Sequence, residues 1–269
     1  MGSRMLARDA TDVPPLFAQL ASNPVRWRLL RELVRSDRAV SELTVLVGEP
    51  QSLVSYHLRQ LRNGGLVTAR RSSADRRDSY YVADLVACRH ALQAAGGALH
   101  PALDVAEWQP SEPPGSRSGR RRRVLFLCTG NSARSQIAEA LIGQMSAGAI
   151  DARSAGSDPK PVHPNAVRVL WTRGIDISAN RTKHLREFTS ERFDEVITLC
   201  DRVREVCPTF PARPDLVHWS LANPALEGET SRASYPAFVR TADELTTRIS
   251  FQLHLLTSAR TRRSAHAQR

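Results

Sequence analysis

The segment VLFLCTGNSARSQIAEA, residues 124–140, sets a thiol and a guanidinium at the two ends of one short loop. Cys128 closes a continuous apolar run of the kind a buried parallel strand shows, and SQIAEALIGQM carries apolar positions at helical spacing. Between strand and helix, the backbone N–H groups of Thr129, Gly130, Asn131, Ser132 and Ala133 can turn inward, and the helix presents its positive end to the same point. Such a loop is a cradle for a tetrahedral oxyanion. The helix dipole and Arg134 both favour thiolate over thiol, which makes Cys128 a candidate nucleophile. Arg134 can hold two oxygens of a transition state bidentately. Ser135 can donate its hydroxyl to the sulfur, and Asn131 can take the left-handed conformation a tight loop needs. A Walker phosphate loop is excluded, because no lysine follows a glycine in this segment.

The elements that would position this loop are legible on either side of it. VLFLC and EVITLC read as buried strands alternating with amphipathic helices such as NAVRVLWTRG, an α/β order with a doubly wound parallel sheet. Cys200 ends the second of those strands, at the same sheet edge as Cys128, and Cys207 follows seven residues later across a short polar segment. The fourth cysteine, Cys88, lies far upstream. Four cysteines are too few for a disulfide scaffold, and no basic start leads into an apolar run of signal-peptide or membrane-span length. The expected setting is the reducing cytoplasm, with no membrane association.

The chain of 269 residues is long enough for two domains, and its net charge of +11 is unevenly spread. Residues 1–100 carry 14 Arg against 9 Asp and Glu, residues 124–259 are neutral, and the last ten are basic again. A basic first half suggests a polyanionic partner for that half alone. EWQPSEPPGSRSGRRRR, residues 107–123, is rich in Pro, Gly, Ser and Arg and reads as a flexible connector. The expected layout is a basic domain over 12–105, a linker over 106–121, an α/β domain over 122–258 and a basic tail over 259–269.

Within the first half, Val25, Leu29, Leu30 and Leu33 give one helix, VSELTVLVG a short second one, and QSLVSYHLRQLRNGG a third. In the third, Val54, Leu58 and Leu61 share one face, while Gln51, Ser52, Ser55, Tyr56 and Arg59 point elsewhere with side chains suited to a major groove. LVTARR and DSYYVADL read as a hairpin whose Arg70, Arg71, Arg76 and Arg77 could reach phosphates of double-stranded DNA. NPVRWRLLREL, SLVSYHLRQLRNGGLV and the SYY strand resemble the ArsR family of small dimeric winged helix-turn-helix repressors over residues 12–100. That resemblance implies DNA binding as a homodimer formed through this domain. It supplies no inducer site: AVSELTVLV lacks the cysteine pair of arsenic-responsive members, and Asp84, Cys88, His90 and His100 do not reproduce the spacing of zinc-responsive ones. No metal site is assigned, and Cys88 on its Ala-rich helix is expected to pack as an apolar residue.

In the second half, VLFLCTGNSARSQIAEA, RSAGSDP, VHPNAVRVLWTRGIDIS, FDEVITLCD and HWSLANPA closely resemble the low-molecular-weight tyrosine phosphatase fold and its arsenate reductase branch, over residues 122–256. The resemblance implies a thioredoxin-coupled reductase with no bound cofactor, in which Cys128 attacks arsenate, Cys200 resolves the adduct with release of arsenite, and Cys207 carries the disulfide outward to thioredoxin or a similar thiol reductant. Glu139 and Ser154 fall where some members order the loop around a monovalent cation, and the Lys183 ammonium could take the cation's place. Two departures stand out. Asn223 occupies the position before Pro224 where the family has its general acid, and an amide cannot donate that proton. Ala133 stands where some reductases carry an additional loop cysteine. The alternatives are a tyrosine phosphatase fused to a DNA-binding domain, and an oxyanion-responsive regulator without turnover.

Overall fold

The computed structural model describes residues 13–75, 77–100, 103 and 120–258. The connector expected at 106–121, apart from Arg120 and Arg121, lies outside the described residues, as do Arg76 and the expected tail at 259–269. The chain resolves into two compact units: of the described residues, 13–70, 79–100 and 103 form the first, and 71–75, 77–78 and 120–258 form the second.

The first unit runs α1 (Leu16–Ala21), α2 (Pro24–Leu33), β1 (Arg38–Ala39), α3 (Val40–Val47), α4 (Gln51–Asn63), β2 (Val67–Arg71), β3 (Ser79–Ala83) and α5 (Leu85–Leu99). Asn23 starts α2 by accepting from the N–H groups of Val25 and Arg26, and Pro24 sits at the first helical position, where its missing N–H costs nothing. Gly48, at φ 70°, ends α3 in the left-handed region, and the chain turns there into α4. The helix-turn-helix pair closes over Leu29, Leu43, Val54, Leu58 and Leu61, all removed from solvent. β1, β3 and β2 form a three-stranded sheet in that order, with β1 antiparallel to β3.

The second unit is a four-stranded, wholly parallel sheet built from β4 (Arg122–Cys128), β5 (Ile150–Gly156), β6 (Glu195–Thr198) and β7 (Asp215–His218), in the order β5-β4-β6-β7. Its crossovers carry α6 (Arg134–Met145), α7 (Pro164–Trp171) and α8 (Asp201–Glu205), and α9 (Ser231–Ser258) packs on α6 and α7. The first strand of the unit is central, which is why VLFLC is apolar at every position: Val124, Leu125, Phe126 and Leu127 are all removed from solvent. The chain leaves β4 and next crosses to β5 on one side, then to β6 on the other. The loop after β4 therefore lies at the switch point of the sheet, where ligand sites of open α/β folds form. No helix among the described residues is long and apolar enough to cross a membrane.

Candidate active site

Cys128 is the last residue of β4 and is 2% exposed. The cradle around it can be derived from where the loop's carbonyls go. Those of Thr129, Gly130 and Ser132 accept from the N–H groups of Asp158, Lys160 and His163, at 2.9, 2.9 and 2.8 Å. In a trans peptide the following N–H points opposite to the carbonyl, so the N–H groups of Gly130, Asn131 and Ala133 face away from those partners, toward the inside of the loop. The loop can lie this close to β5 because Gly156 has no side chain. A Cβ there would stand 2.5 Å from the Thr129 carbonyl oxygen and 2.8 Å from the Asn131 nitrogen.

Asn131, at φ 46° and fully buried, is the hub of the loop. Its amide nitrogen donates to Ser135 Oγ at 2.9 Å and to Ser154 Oγ at 2.8 Å, and its oxygen accepts from the Lys183 N–H at 2.7 Å and from Gln136 Nε2 at 3.1 Å. Since Ser135 Oγ already accepts from Asn131, its own proton is directed at Cys128 Sγ, 2.9 Å away. Ser154 in turn donates to Glu139 at 2.5 Å, and both oxygens of the Glu139 carboxylate hold Lys183 Nζ, at 2.9 and 3.1 Å. A positive charge beside Glu139 is thus supplied by the chain itself.

Arg134 opens α6 and is almost fully buried. Its Nη1 donates to the Leu221 carbonyl at 2.8 Å, with a longer approach of 3.5 Å to that of Leu199. Two carbonyls beyond the ends of β7 and β6 therefore fix the guanidinium over the loop. Cys200, 2% exposed, directly precedes α8, and its Sγ lies 3.3 Å from Thr129 Oγ1, so the second thiol touches the residue next to the first. Cys207 lies just past the other end of α8, half-buried against the core, and burial pushes its thiol above the ordinary value. The five helical residues Asp201–Glu205 stand between Cys200 and Cys207.

Asn223 caps the short 3-10 turn Pro224–Leu226, its Oδ1 accepting from the Ala225 N–H at 3.3 Å. Several contributors were not singled out in the sequence. Gln136, fully buried on α6, donates to the Arg181 carbonyl and accepts from Asn180, which ties the 180–183 segment to the loop. Its only signal was a polar side chain one turn into a buried helix. Thr198, His218 and Asp201 form a buried hydrogen-bonded chain beside Cys200.

In the first unit, Gln51, Ser52, Tyr56 and Arg59 are exposed on α4 and Ser55 partly so, on the face away from Val54, Leu58 and Leu61. Arg71 is exposed, Arg70 partly buried, and Arg77 is exposed in a 3.0 Å ion pair with Asp75. Cys88 packs against the core, its S–H donating to the Leu66 carbonyl at 3.6 Å, and burial pushes its thiol up to about 11. Among the described residues no three His, Cys, Asp or Glu side chains cluster as a metal site would require.

A parallel sheet whose central strand ends in a thiol, followed by an inward-facing amide loop and an arginine at a helix start, defines a phosphatase-fold oxyanion site. Residues 123–249 match the model of the low molecular weight phosphotyrosine protein phosphatases, and residues 23–69 match that of the bacterial regulatory proteins of the arsR family. Over 129 residues, 48% of this chain, the sequence is 36% identical to an arsenate reductase of Halalkalibacterium halodurans, 93% of which is covered, and 38% identical to one of Brevibacillus brevis, 92% of which is covered. A solved arsenate reductase in a phosphate-binding state aligns at a TM-score of 0.45 and 27% identity, over 50% of this chain and 98% of its own. The chain belongs to the arsenate reductases of the low-molecular-weight phosphatase family, with an arsR-family helix-turn-helix domain ahead of the reductase domain.

Proposed function

We propose that the second unit reduces arsenate to arsenite through Cys128, Cys200 and Cys207, and that the first unit binds duplex DNA as a homodimer. The observation that carries the enzymatic reading is the meeting of two thiols at one loop: Cys128 opens it, with Sγ 2.9 Å from Ser135 Oγ, and Cys200 Sγ lies 3.3 Å from Thr129 Oγ1. A phosphatase has no use for the second.

The inward N–H groups and Arg134 bind the oxyanion, and the Cys128 thiolate displaces one oxygen from arsenic, which leaves as water or hydroxide. The Cys200 thiolate then attacks Cys128 Sγ. The S–As bond breaks with its electron pair going to arsenic, arsenite departs, and two thiols have become one disulfide. α8 unwinds, the Cys207 thiolate attacks Cys200, and Cys128 leaves as thiolate. Thioredoxin or a similar dithiol reduces the Cys200–Cys207 disulfide. The raised Cys207 thiol keeps this last nucleophile protonated at rest, so relief of its burial and unwinding of α8 belong to the same event. Lys183 takes the part that a monovalent cation could otherwise play beside Glu139 and Ser154. A general acid at position 223 is dispensable because arsenate can lose water with protons from solvent or its own hydroxyls.

For the first unit, the exposed polar face of α4 supports major-groove contact, and Arg70, Arg71 and Arg77 of the hairpin are the proposed phosphate contacts. Dimerisation is supported by α5, which has no buried residue and leaves Val86, Leu92 and Leu99 exposed. The setting that suits free thiols and DNA is the cytoplasm.

The two resolving cysteines separate the steps. Cys200→Ser should release little arsenite, and Cys207→Ser should complete one turnover and stall as a Cys128–Cys200 disulfide. Equal multiple-turnover rates for wild type and Cys207→Ser would contradict the assignment.

A further inference from the structure

One imidazole bridges the two residues that flank Leu199 and Cys200. β6 and β7 pair in parallel with Thr198 opposite His218, the last residue of each strand. From there His218 Nδ1 lies 2.8 Å from Thr198 Oγ1, and Nε2 lies 3.0 Å from Asp201 Oδ1. Thr198 and Asp201 flank the two-residue link Leu199–Cys200, so a single side chain ties both ends of the segment that carries the thiol. All three groups are buried, His218 and the Asp201 carboxylate at 3% exposure. Burial pushes the Asp201 carboxyl up, but the hydrogen bond from His218 and others outweigh it and hold the group well below the ordinary range, so the carboxylate is ionised and His218 Nε2 is the donor. The other carboxylate oxygen, Oδ2, accepts from the N–H and Oγ of Ser73 at 2.5 and 2.8 Å. An ionised carboxylate and an imidazole kept this far from water are costly unless hydrogen-bonded, and packing alone would be better served by apolar side chains.

We propose that His218 is a positioning residue for Cys200: by tying Thr198 to Asp201 it holds the resolving thiol beside Thr129, and it anchors the N-terminal end of α8 while the rest of that helix unwinds. The inference rests on the reading of Cys200 as the resolving thiol. The chemical need is plain. Cys200 must approach Cys128 Sγ in line with the bond that breaks, and then stay in place while Cys207 travels to it. The Leu199 N–H is held by the Leu127 carbonyl at 2.7 Å, so the part left to the imidazole is to hold the Asp201 end of the link as α8 opens. With Thr198 fixed in the sheet and Asp201 fixed to Thr198 through the imidazole, the link keeps its geometry and the helix can open only from the Cys207 end. His218 hydrogen-bonds Thr198 and Asp201, so its effect belongs to the step in which Cys200 acts and not to oxyanion binding, which Asn131, Ser135 and Arg134 govern.

The test uses the full chain in the Cys207→Ser background, where the reaction stops at the Cys128–Cys200 disulfide. Single turnovers with arsenate and no reductant, quenched and mapped for that disulfide, are compared for this parent and for parents carrying His218→Leu or His218→Gln. Leucine fills the space without hydrogen bonds. Glutamine places an amide nitrogen near the position of Nε2 and can still donate to Asp201. Loss of positioning of this kind is worth between about tenfold and about 100-fold in rate. His218→Leu should slow disulfide formation by that factor, with the half-saturating arsenate concentration changed by less than about twofold, and His218→Gln should regain most of the rate. Equal rates in all three chains would overturn the proposal. So would a loss of rate in parallel with arsenate saturation that glutamine fails to restore, since that is the signature of a merely damaged fold. If the relay itself is misread, the Cys207→Ser parent forms no Cys128–Cys200 disulfide, a result visible before any His218 variant is compared.

Discussion

At the scale of single residues, the loop depends on side chains whose hydrogen bonds have one consistent direction. Asn131 donates to two hydroxyls and accepts from two N–H groups, so all its capacity is used. Asn131→Ala leaves buried donors of Lys183 and Gln136 without an acceptor, at about 1–3 kcal/mol each. It also leaves the Ser135 proton without direction. The variant should unfold at lower denaturant concentration, and iodoacetamide should alkylate its Cys128 more slowly at neutral pH. Unchanged alkylation would show that the Asn131–Ser135 contact does not set the reactivity of Cys128. Asn223 offers the converse experiment, a gain. Asn223→Asp restores a carboxyl group where the family has its acid, and general acid catalysis contributes about 10²–10⁴-fold. Cleavage of an alkyl or poorly activated aryl phosphate should rise at least about tenfold in kcat/KM, p-nitrophenyl phosphate less, and arsenate reduction least. Equal gains on all three would mean that position 223 does not serve the leaving group. Cys88 differs from the other thiols in a way pH can expose. Its thiol is raised to about 11, so the stability this burial contributes is complete below the ordinary thiol value and is lost as the pH rises through that of the folded state. Cys88→Ala should flatten the alkaline limb of stability against pH, and a limb identical to wild type would contradict the burial.

At the scale of elements, the site exists because two strands end where they do. Cys128 pairs in register with Gly156, and the absence of a Cβ at Gly156 lets the oxyanion loop rest on β5. Gly156→Ala must move Thr129 and Asn131, and with them both thiol contacts. Arsenate turnover should fall more than about tenfold, as misplacement of a reacting group typically costs, while circular dichroism stays close to wild type. Retained turnover would show that the loop has room the geometry denies it. In the helix-turn-helix pair, Leu58→Ala removes a fully buried side chain and should cost about 2–5 kcal/mol in chemical denaturation. The apolar patterns that fix these elements were readable in the chain. VLFLC shows the strand buried on both faces, and Val54, Leu58 and Leu61 show the face of α4. β1 has two residues and no period to read, and α8 is too short for one. Glycine at 156 was equally silent, because its reason lies in a loop some thirty residues away. Gln136 and His218 carried no pattern either, since a buried polar residue is explained only by partners that tertiary structure brings to it.

At the scale of the whole molecule, a basic first half and a neutral second half were visible in the charge distribution, and the matched families divide the chain along the same lines. DNA binding by the full chain should weaken steeply with salt, since each neutralised phosphate adds about −0.9 to the slope of log K against log salt. Replacing Arg70, Arg71 and Arg77 by alanine should make that slope shallower, and an unchanged slope would remove the hairpin from the interface. AVSELTVLV has no thiol, so arsenite should release the DNA poorly, and stoichiometric release would reveal a sensor elsewhere. The central claim, that three cysteines turn an oxyanion cradle into a reductase, is tested most directly by one measurement on the wild-type chain: a single turnover with arsenate and no added reductant, counting free thiols and arsenite together. The relay predicts about one arsenite released and two thiols lost per chain, the loss residing in a Cys200–Cys207 disulfide. Bound arsenate with no arsenite released and every thiol still titratable would contradict it.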